Sequence, residues 1–215
     1  MQNAVPVEEL LATRTLAGRR DSYAAEVRRL IDAAFAVMQR TGEIDPPVRD
    51  IVKTAGLSNQ AFYRHFTAKD DLLLAVLADG QRQLVEYLER RVASAREPKE
   101  QVRRWIEGVL AQARDKQAAE ATRPFAINGA RLADRYPTDL AASREALLAS
   151  LAPAVRALGG TLQDASFIRD LALARMNDAI VARRRPHPDE VRNLVAFCLA
   201  GIKHGRADAA KPRMA

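Results

Sequence analysis

The sequence has little of what an enzyme site or a covalently cross-linked fold requires. It contains one cysteine, Cys198, so no disulfide can form within the chain and no metal site can use several thiolates. The three histidines, at positions 65, 187 and 204, lack metal-ligand spacing, and no Ser-His-Asp set, glycine-rich phosphate loop or HExxH motif is present. We therefore expect neither catalysis nor a bound cofactor or metal.

Glycine, proline and aromatic residues are also sparse. The 215 residues include 10 Gly and 10 Pro, only 5% are aromatic, and 28% are charged, a composition that favours an all-α fold. Cys198 lies in the apolar run LVAFCLAGI, which favours a buried thiol over a reactive one. No run approaches the ~18 apolar residues that cross a membrane, and the first residues lack the order of a signal peptide. A soluble, cytoplasmic protein is expected.

The positive charge is unevenly distributed along the chain. The formal net charge is +7, yet residues 1–80 contain 10 Lys and Arg against 11 Asp and Glu. From Pro46 to Lys69 the sequence contains four basic residues and a single acidic residue, Asp50. A polyanionic partner would thus depend on where the charges point, and mere solubility is an alternative explanation of the total.

Helical periodicity divides the chain into four parts. We predict a flexible arm over residues 1–20, a helix-turn-helix domain over 21–74, a larger helical domain over 75–205 and a tail over 206–215. In the first helix, about 21–40, apolar residues recur at spacings of three and four, and Gly42 can end it. The fourth helix, 72–96, is either continuous or divided at Gly80. Later helices are predicted at 99–115, 118–134, 138–158, 161–184 and 188–204, with breaks at Pro124, Pro137, Gly159-Gly160 and Pro186.

The stretch VRDIVKTAGLSNQAFYRHF, residues 48–66, holds two short helical patterns separated by Gly-Leu-Ser. Asp45 and Ser58 are expected to cap the two helices, and Phe62 and Phe66 share the face that anchors the second. This pattern is typical of a helix-turn-helix, whose last helix enters the DNA major groove. The alternative is an ordinary amphipathic helix with a solvated Arg-His pair.

The predicted recognition helix begins with two amides. Asn59 and Gln60 occupy the turn nearest base edges, where an amide can read adenine N6 and N7. Phosphate contacts are expected from residues one turn later and from the start of the next helix, namely Tyr63, Arg64, His65 and Lys69.

The sequence LIDAAFAVMQRTG…VRDIVKTAGLSNQAFYRHFTAKDDLLLAV resembles, without gaps, the DNA-binding domain of the tetracycline-repressor (TetR) family. The resemblance implies a dimeric transcriptional regulator, usually a repressor of a pseudo-palindromic operator that a small molecule releases. Pro46-Pro47, Gln60, Ala61 and Phe62 depart from the family pattern, so the operator sequence does not follow from it. The candidate DNA-binding residues are Arg49, Ser58, Asn59, Gln60, Ala61, Tyr63, Arg64, His65 and Lys69.

The larger domain is expected to bind a small hydrophobic or amphipathic effector. Asn128 and Arg131, one helical turn apart, could hold a carbonyl or carboxylate, although an ion pair of Arg131 with Asp134 is an alternative. The fourth helix, which runs from Lys69 into this domain, could act as a lever between effector and DNA. The candidate effector-binding residues are Trp105, Phe125, Asn128, Arg131, Tyr136, Phe167 and Met176, and the alternative for most of them is the hydrophobic core.

The last two helices, within residues 161–204, are apolar on more than one face. One chain cannot cover two faces of its terminal helices, so we expect a homodimer through a four-helix arrangement with two-fold symmetry. The rival hypothesis is a helical interaction module whose basic charge serves protein or membrane contacts. A steep, log-linear salt dependence would distinguish DNA binding from it.

Overall fold

The computed structural model describes the backbone of residues 7–209 and the side chains of residues 15–202. Within that range the chain forms ten α-helices and no strand, which confirms the all-α class. The chain divides into two compact units between Val76 and Leu77. The helices are α1 (Val7–Thr41), α2 (Val48–Ala55), α3 (Asn59–His65), α4 (Lys69–Ala93), α5 (Pro98–Arg114), α6 (Lys116–Ile127), α7 (Gly129–Arg135), α8 (Pro137–Ala157), α9 (Leu162–Val181) and α10 (Pro188–Ala209).

The first unit contains α1, α2, α3 and the beginning of α4. Its core is formed where the apolar stripe of α1 meets the inner faces of α2 and α3, as the spacing of three and four predicts. Gly42 has a φ of 75° directly after α1, which is the left-handed conformation expected of a glycine at a helix end. The buried residues include Leu30, Ala34, Val37, Met38, Ile51, Val52, Phe62, Phe66, Leu72 and Leu73.

The first helix begins much earlier than the sequence pattern indicates. The predicted start near residue 21 is wrong, because residues 7–20 form the first turns of α1; residues 1–6 lie outside the described part. The side chains of residues 15–25 are all exposed, so no buried stripe exists there for a periodicity argument to detect. At the other end, α10 continues to Ala209 into the predicted tail, and residues 210–215 are outside the described range.

The second unit is a bundle built around α5, which packs against α6, α8, α9 and α10. Trp105 of α5 is fully buried, and its indole N–H donates a 2.9 Å hydrogen bond to Ser150 Oγ of α8. Such a partner allows the largest side chain of the core to be buried without an unsatisfied polar group. The core cluster to which Trp105 belongs also includes Leu88, Ile106, Val109, Leu151, Ile168, Met176, Val195 and Ile202.

One predicted break in this unit is absent from the structure, and one observed break was not predicted. The helix predicted over 118–134 is interrupted at Asn128, and Pro124 lies inside α6 instead of breaking it. Asn128 is the C-cap residue of α6: its backbone N–H still makes the helical bond to the Pro124 carbonyl oxygen, at 3.3 Å, and its side-chain Nδ2 donates to the same oxygen at 2.8 Å. The fourth helix is continuous through Gly80, so the undivided alternative is the correct one.

Candidate nucleic-acid interface

The turn between α2 and α3 is fixed by a glycine and by an arginine from α1. Gly56 has φ and ψ of 62° and 38°, and its N–H donates to the Lys53 carbonyl oxygen. The Arg29 guanidinium donates to the carbonyl oxygens of Ala55, at 2.5 Å, and Gly56, at 3.1 Å. These bonds satisfy carbonyls that the end of a helix leaves without partners. A side chain of α1 therefore helps to fix the angle between α2 and α3.

Ser58 caps the N-terminus of α3, as its sequence position predicts. Its Oγ accepts a 3.1 Å hydrogen bond from the Ala61 backbone N–H. The expected cap of α2 by Asp45 is wrong: Pro47 is the N-cap residue, and no side chain caps that helix. The Asp45 carboxylate instead lies 2.8 Å from Lys69 Nζ at the start of α4.

The inner face of α3 is anchored by aromatic packing. Phe62 and Phe66 are buried, with their ring centroids 5.7 Å apart, and the Tyr63 ring meets the Phe62 ring edge-on at 5.2 Å. Ala61 is buried on the same face, next to Phe62. The position of Ala61 contradicts its selection as a DNA contact, because a buried methyl group cannot reach a base edge.

The outer face of α3 carries two polar rows. Asn59 and Tyr63 form one row and Gln60 and Arg64 the other, since each pair is four residues apart on the helix. All four residues are exposed, and Tyr63 is 61% exposed despite its aromatic ring. The face therefore presents two amides, a phenol and a guanidinium to solvent, which are groups that read base edges and bind phosphates.

His65 does not belong to this outer face. Its side chain is 0% exposed, and Nε2 lies 2.6 Å from Oε2 of Glu26 on α1. The Tyr23 ring meets the imidazole edge-on, with centroids 4.3 Å apart. The phosphate contact expected of His65 is therefore contradicted in this conformation, because the ring is turned into the first unit.

Glu26 is a residue of the site that the sequence pattern did not reveal. Its carboxylate accepts hydrogen bonds from both His65 and Arg64, and these bonds, the His65 bond first, lower the pKa of Glu26 from its ordinary value. A hydrogen-bonded, ionised carboxylate thus lies directly behind the recognition helix. Its position one turn before the buried Leu30 of α1 was the available signal.

The remaining basic candidates flank α3. Arg49 at the start of α2 is 84% exposed and lies 3.4 Å from Asp50. Lys69 is about one third exposed and is paired with Asp45. Lys53 is exposed on α2. The local excess of positive charge found in the sequence therefore lies on side chains that solvent reaches.

The seven candidate effector-binding residues occupy three different environments. Three are buried, and Trp105 and Met176 among them belong to the core, as the alternative interpretation held. Phe125 and Asn128 are half-buried, whereas Arg131 and Phe167 are exposed. The third buried residue is Tyr136, whose ring lies 5.3 Å from the Arg135 guanidinium carbon. The exposure of Phe167 contradicts its selection as an effector-binding residue, because a side chain directed to solvent does not line a pocket within its own unit.

The last two helices leave large apolar side chains uncovered. Phe167 of α9 and Phe197 of α10 are 61% and 69% exposed, and Leu162 and Val181 of α9 are about half exposed. The opposite sides of both helices are buried in the second unit, at residues such as Ile168 and Val195. In the part of the chain whose side chains are described, both helices therefore carry apolar side chains on a buried face and on an exposed one.

The part of the chain that the structure describes lacks two other kinds of site. There, no group of three or more His, Cys, Asp and Glu side chains is arranged to hold a metal ion. Among the same residues, no helix has the length and apolar character needed to cross a membrane.

Comparison with known proteins gives this surface a context. The family described as "Bacterial regulatory proteins, tetR family" matches residues 30–76. An uncharacterised HTH-type transcriptional regulator of Mycobacterium tuberculosis is 30% identical over 148 residues, which cover 67% of this chain and 71% of that protein. The HTH-type transcriptional regulator BetI of Brucella anthropi is 32% identical over 75 residues, or 35% of this chain. That match spans only 39% of the BetI protein.

Several solved structures are similar to this chain in fold, although their sequences are only distantly similar. The GusR protein of Salmonella enterica has a TM-score of 0.66 at 19% identity, covering 83% of this chain and 95% of that chain. The fatty acid degradation regulator FadR of Bacillus halodurans has a TM-score of 0.62 at 18% identity, covering 82% and 95%. At these identities the likeness concerns the fold alone.

Proposed function

Because the chain belongs to the TetR family of bacterial transcriptional regulators, we propose that it is a cytoplasmic repressor that binds a pseudo-palindromic operator as a homodimer and leaves it when a small effector binds. The observation that carries this proposal is the outer face of α3. Asn59, Gln60, Tyr63 and Arg64 project from a helix whose other side is fixed by Phe62 and Phe66.

We assign base reading to the two amides at the start of α3. Asn59 and Gln60 lie in the first turn, the part of a recognition helix that approaches base edges. Their carbonyl and NH2 groups match the acceptor and donor that adenine presents in the major groove. The Ser58 cap holds this turn in place without occupying either amide.

We assign phosphate binding to Arg49, Tyr63, Arg64 and Lys69. All four side chains reach solvent around α3, and their groups bind phosphate oxygens without reading sequence. Arg64 and Lys69 are paired with carboxylates in the free protein, so binding DNA requires both to exchange one anion for another. His65 and Ala61 are left out of the contact set and hold α3 from behind.

The uncovered apolar side chains of α9 and α10 support dimerisation through residues 161–204. A second copy related by two-fold symmetry would place Phe167 and Phe197 against their equivalents and remove them from water. Dimerisation matters for function because two recognition helices must lie ~34–36 Å apart to meet successive major grooves.

The effector is proposed to act through α4. This helix begins at Lys69, in the DNA-binding unit, and ends at Ala93, in the second unit. A small hydrophobic or amphipathic molecule that binds one arrangement of the second unit better would shift the spacing of the recognition helices. Among the candidate residues, we propose that the half-buried Phe125 and Asn128 contact such a molecule.

Fluorescence anisotropy with DNA from upstream of the protein's own gene tests the proposal. We expect tight, salt-dependent binding to one duplex and binding at least ~10³-fold weaker to a scrambled duplex of the same composition. Gln60→Ala should weaken only the specific complex, by about 1–3 kcal/mol, whereas Arg49→Gln, which removes an 84% exposed cation, should weaken both complexes. Equal affinity for every duplex would refute the proposal.

A further inference from the structure

The guanidinium of Arg64 is held by the protein itself. Arg64 is exposed at the end of the Gln60–Arg64 row, where a phosphate would approach, yet its Nη2 donates to Oε2 of Glu26 on α1. The two residues are 38 positions apart in sequence, so this is a tertiary contact and not a neighbouring pair along one helix. Beyond the function proposed above, and resting on it, we infer that Glu26 is a positioning residue that keeps Arg64 paired in the free protein and so suppresses binding to non-specific DNA.

Glu26 is itself held in place from the other side. The buried imidazole of His65 lies 2.6 Å from the same Oε2 atom, and the Tyr23 ring covers that imidazole. Within the described residues, the buried Nδ1 of His65 has no hydrogen-bond partner. A proton on Nε2 therefore suits the site, because it places the donor on the carboxylate and leaves the unpartnered Nδ1 as an acceptor only. The Glu26 carboxylate is thus fixed by α3 and presented to Arg64.

Surface ion pairs usually contribute little to stability, so the consequence of this one is expected in DNA binding. Non-specific binding depends almost entirely on cations that neutralise phosphates and release counterions. A guanidinium that is already paired with a carboxylate adds little to that neutralisation. The Glu26 carboxylate is ionised at neutral pH, since the hydrogen bonds from His65 and Arg64 lower its pKa below an ordinary value that is already acidic.

In the specific complex, base contacts offset the cost of separating Arg64 from Glu26. Base contacts from Asn59 and Gln60 bring α3 into the groove, so a phosphate is delivered to Arg64 at high effective concentration. The guanidinium can then exchange Glu26 for the phosphate, or share its several N–H groups between them. Glu26 therefore weakens non-specific binding more than operator binding and increases the ratio between the two.

The test is a double-mutant cycle with Glu26→Gln and Arg64→Gln, read out by anisotropy on operator and scrambled duplexes between about 50 and 200 mM salt. Glutamine keeps an oxygen that can accept from His65 while removing the charge. We expect E26Q to tighten scrambled-duplex binding about 3–10-fold at the lowest salt and to increase the log–log salt slope by about 0.9, one additional phosphate contact. The operator-to-scrambled ratio should fall.

Asp32→Asn is the matched control. Asp32 is an exposed acid of the same helix that pairs with Arg28, so the variant changes the net charge equally without touching α3. We expect D32N to leave the salt slope unchanged within error. In the R64Q background, E26Q should have no effect, because Glu26 acts through Arg64.

Three results would overturn the inference: an effect of E26Q that D32N reproduces, an effect that persists without Arg64, or a loss of operator affinity with no gain on the scrambled duplex. If circular dichroism shows that E26Q is unfolded, the salt slope of the R64Q variant on the scrambled duplex tests the inference by itself. A paired arginine predicts a slope loss well below about 0.9, and a full loss contradicts it. Failure of the wild-type protein to prefer any duplex would refute the proposed function instead.

Discussion

The Arg29 guanidinium of α1 donates a 2.5 Å hydrogen bond to the carbonyl oxygen of Ala55, the last residue of α2. A helix end leaves its last carbonyls without partners inside the helix, and here a side chain from another helix supplies one. The same guanidinium reaches the Gly56 carbonyl oxygen at 3.1 Å. Arg29 thereby ties the first helix to the turn that orients α3.

Arg29→Met should destabilise the first unit by about 1–2 kcal/mol, because methionine keeps part of the apolar stem but leaves two helix-end carbonyls with water alone. Thermal unfolding followed by circular dichroism measures the change. Arg28→Met is the matched control. Arg28 is the preceding residue and its exposed pairing with Asp32 is local, so its loss should cost less than about 0.5 kcal/mol. Equal effects of the two variants would contradict the role given to Arg29.

Gly56→Ala should also destabilise the protein, for a conformational reason. Gly56 has a φ of 62°, and a Cβ at this position would lie 3.1 Å from Arg29 Nη2. The left-handed conformation costs an alanine about 1–2 kcal/mol, so we expect a loss of that size in the free energy of unfolding, together with weaker operator binding. Gly80→Ala is the control, since Gly80 lies within α4 and a Cβ there meets nothing within 4 Å. That substitution should stabilise by about 0.5–1 kcal/mol.

The fold could be predicted where helices have a buried face, and could not where they lack one. The repeated apolar residues from Leu30 onward located the core of α1 because tertiary packing imposes that spacing. Residues 15–25 are exposed on all sides, so only intrinsic propensity indicates a helix there, and propensity is a weak signal. Pro124 was misread because a proline inside a helix removes one hydrogen bond, which packing can offset.

The candidate site also has a part that local spacing predicts and a part that depends on contacts between distant residues. Ser58, Phe62 and Phe66 identify the capped end and the inner face of α3, so the outward direction of Asn59 and Gln60 follows from local spacing. His65 lies four residues after the buried Ala61 and three after Phe62, and that spacing already placed it on the inner face. The prediction of a phosphate contact rested on the basic ring and on its position one turn into α3, whereas the structure places that ring against Glu26 and Tyr23 of α1. The position of Glu26, one turn before the buried Leu30, indicates the inner side of α1, but its pairing with Arg64 and His65 could not be predicted, because these partners lie far along the chain.

Acid should weaken the second unit through Glu190. The Arg184 and Arg175 guanidinium groups hydrogen-bond to its carboxylate and lower the Glu190 pKa from 4.5 to about 2. Since the pKa is lower in the folded state, the stabilisation is fully present above the unfolded value and is lost as pH falls from 4.5 through 2. Glu190→Gln should therefore reduce the free energy of unfolding by about 1 kcal/mol at neutral pH, and the difference from wild type should shrink over that acid range.

Urea unfolding at a series of pH values measures this difference. Asp178→Asn is the control, because the Asp178 carboxylate is exposed and lies 3.7 Å from the same Arg175. It should change the neutral-pH free energy by less than about 0.5 kcal/mol. A difference between wild type and E190Q that stays constant down to pH 2 would show that the two arginines do not stabilise the ionised form.

Oligomeric state should respond to Phe197, the most exposed large apolar side chain of α10. Phe197→Glu places a charge at the centre of the surface assigned to the partner copy, where an unpaired buried charge is strongly unfavourable. We expect the mass measured by light scattering after size exclusion to fall from dimer to monomer, and operator affinity to fall with it, because one half-site alone cannot hold the protein. Leu16→Glu is the matched control, since Leu16 is similarly exposed but lies on α1, outside residues 161–204. A dimer that survives F197E but is lost in L16E would place the interface on α1 instead of on the last two helices.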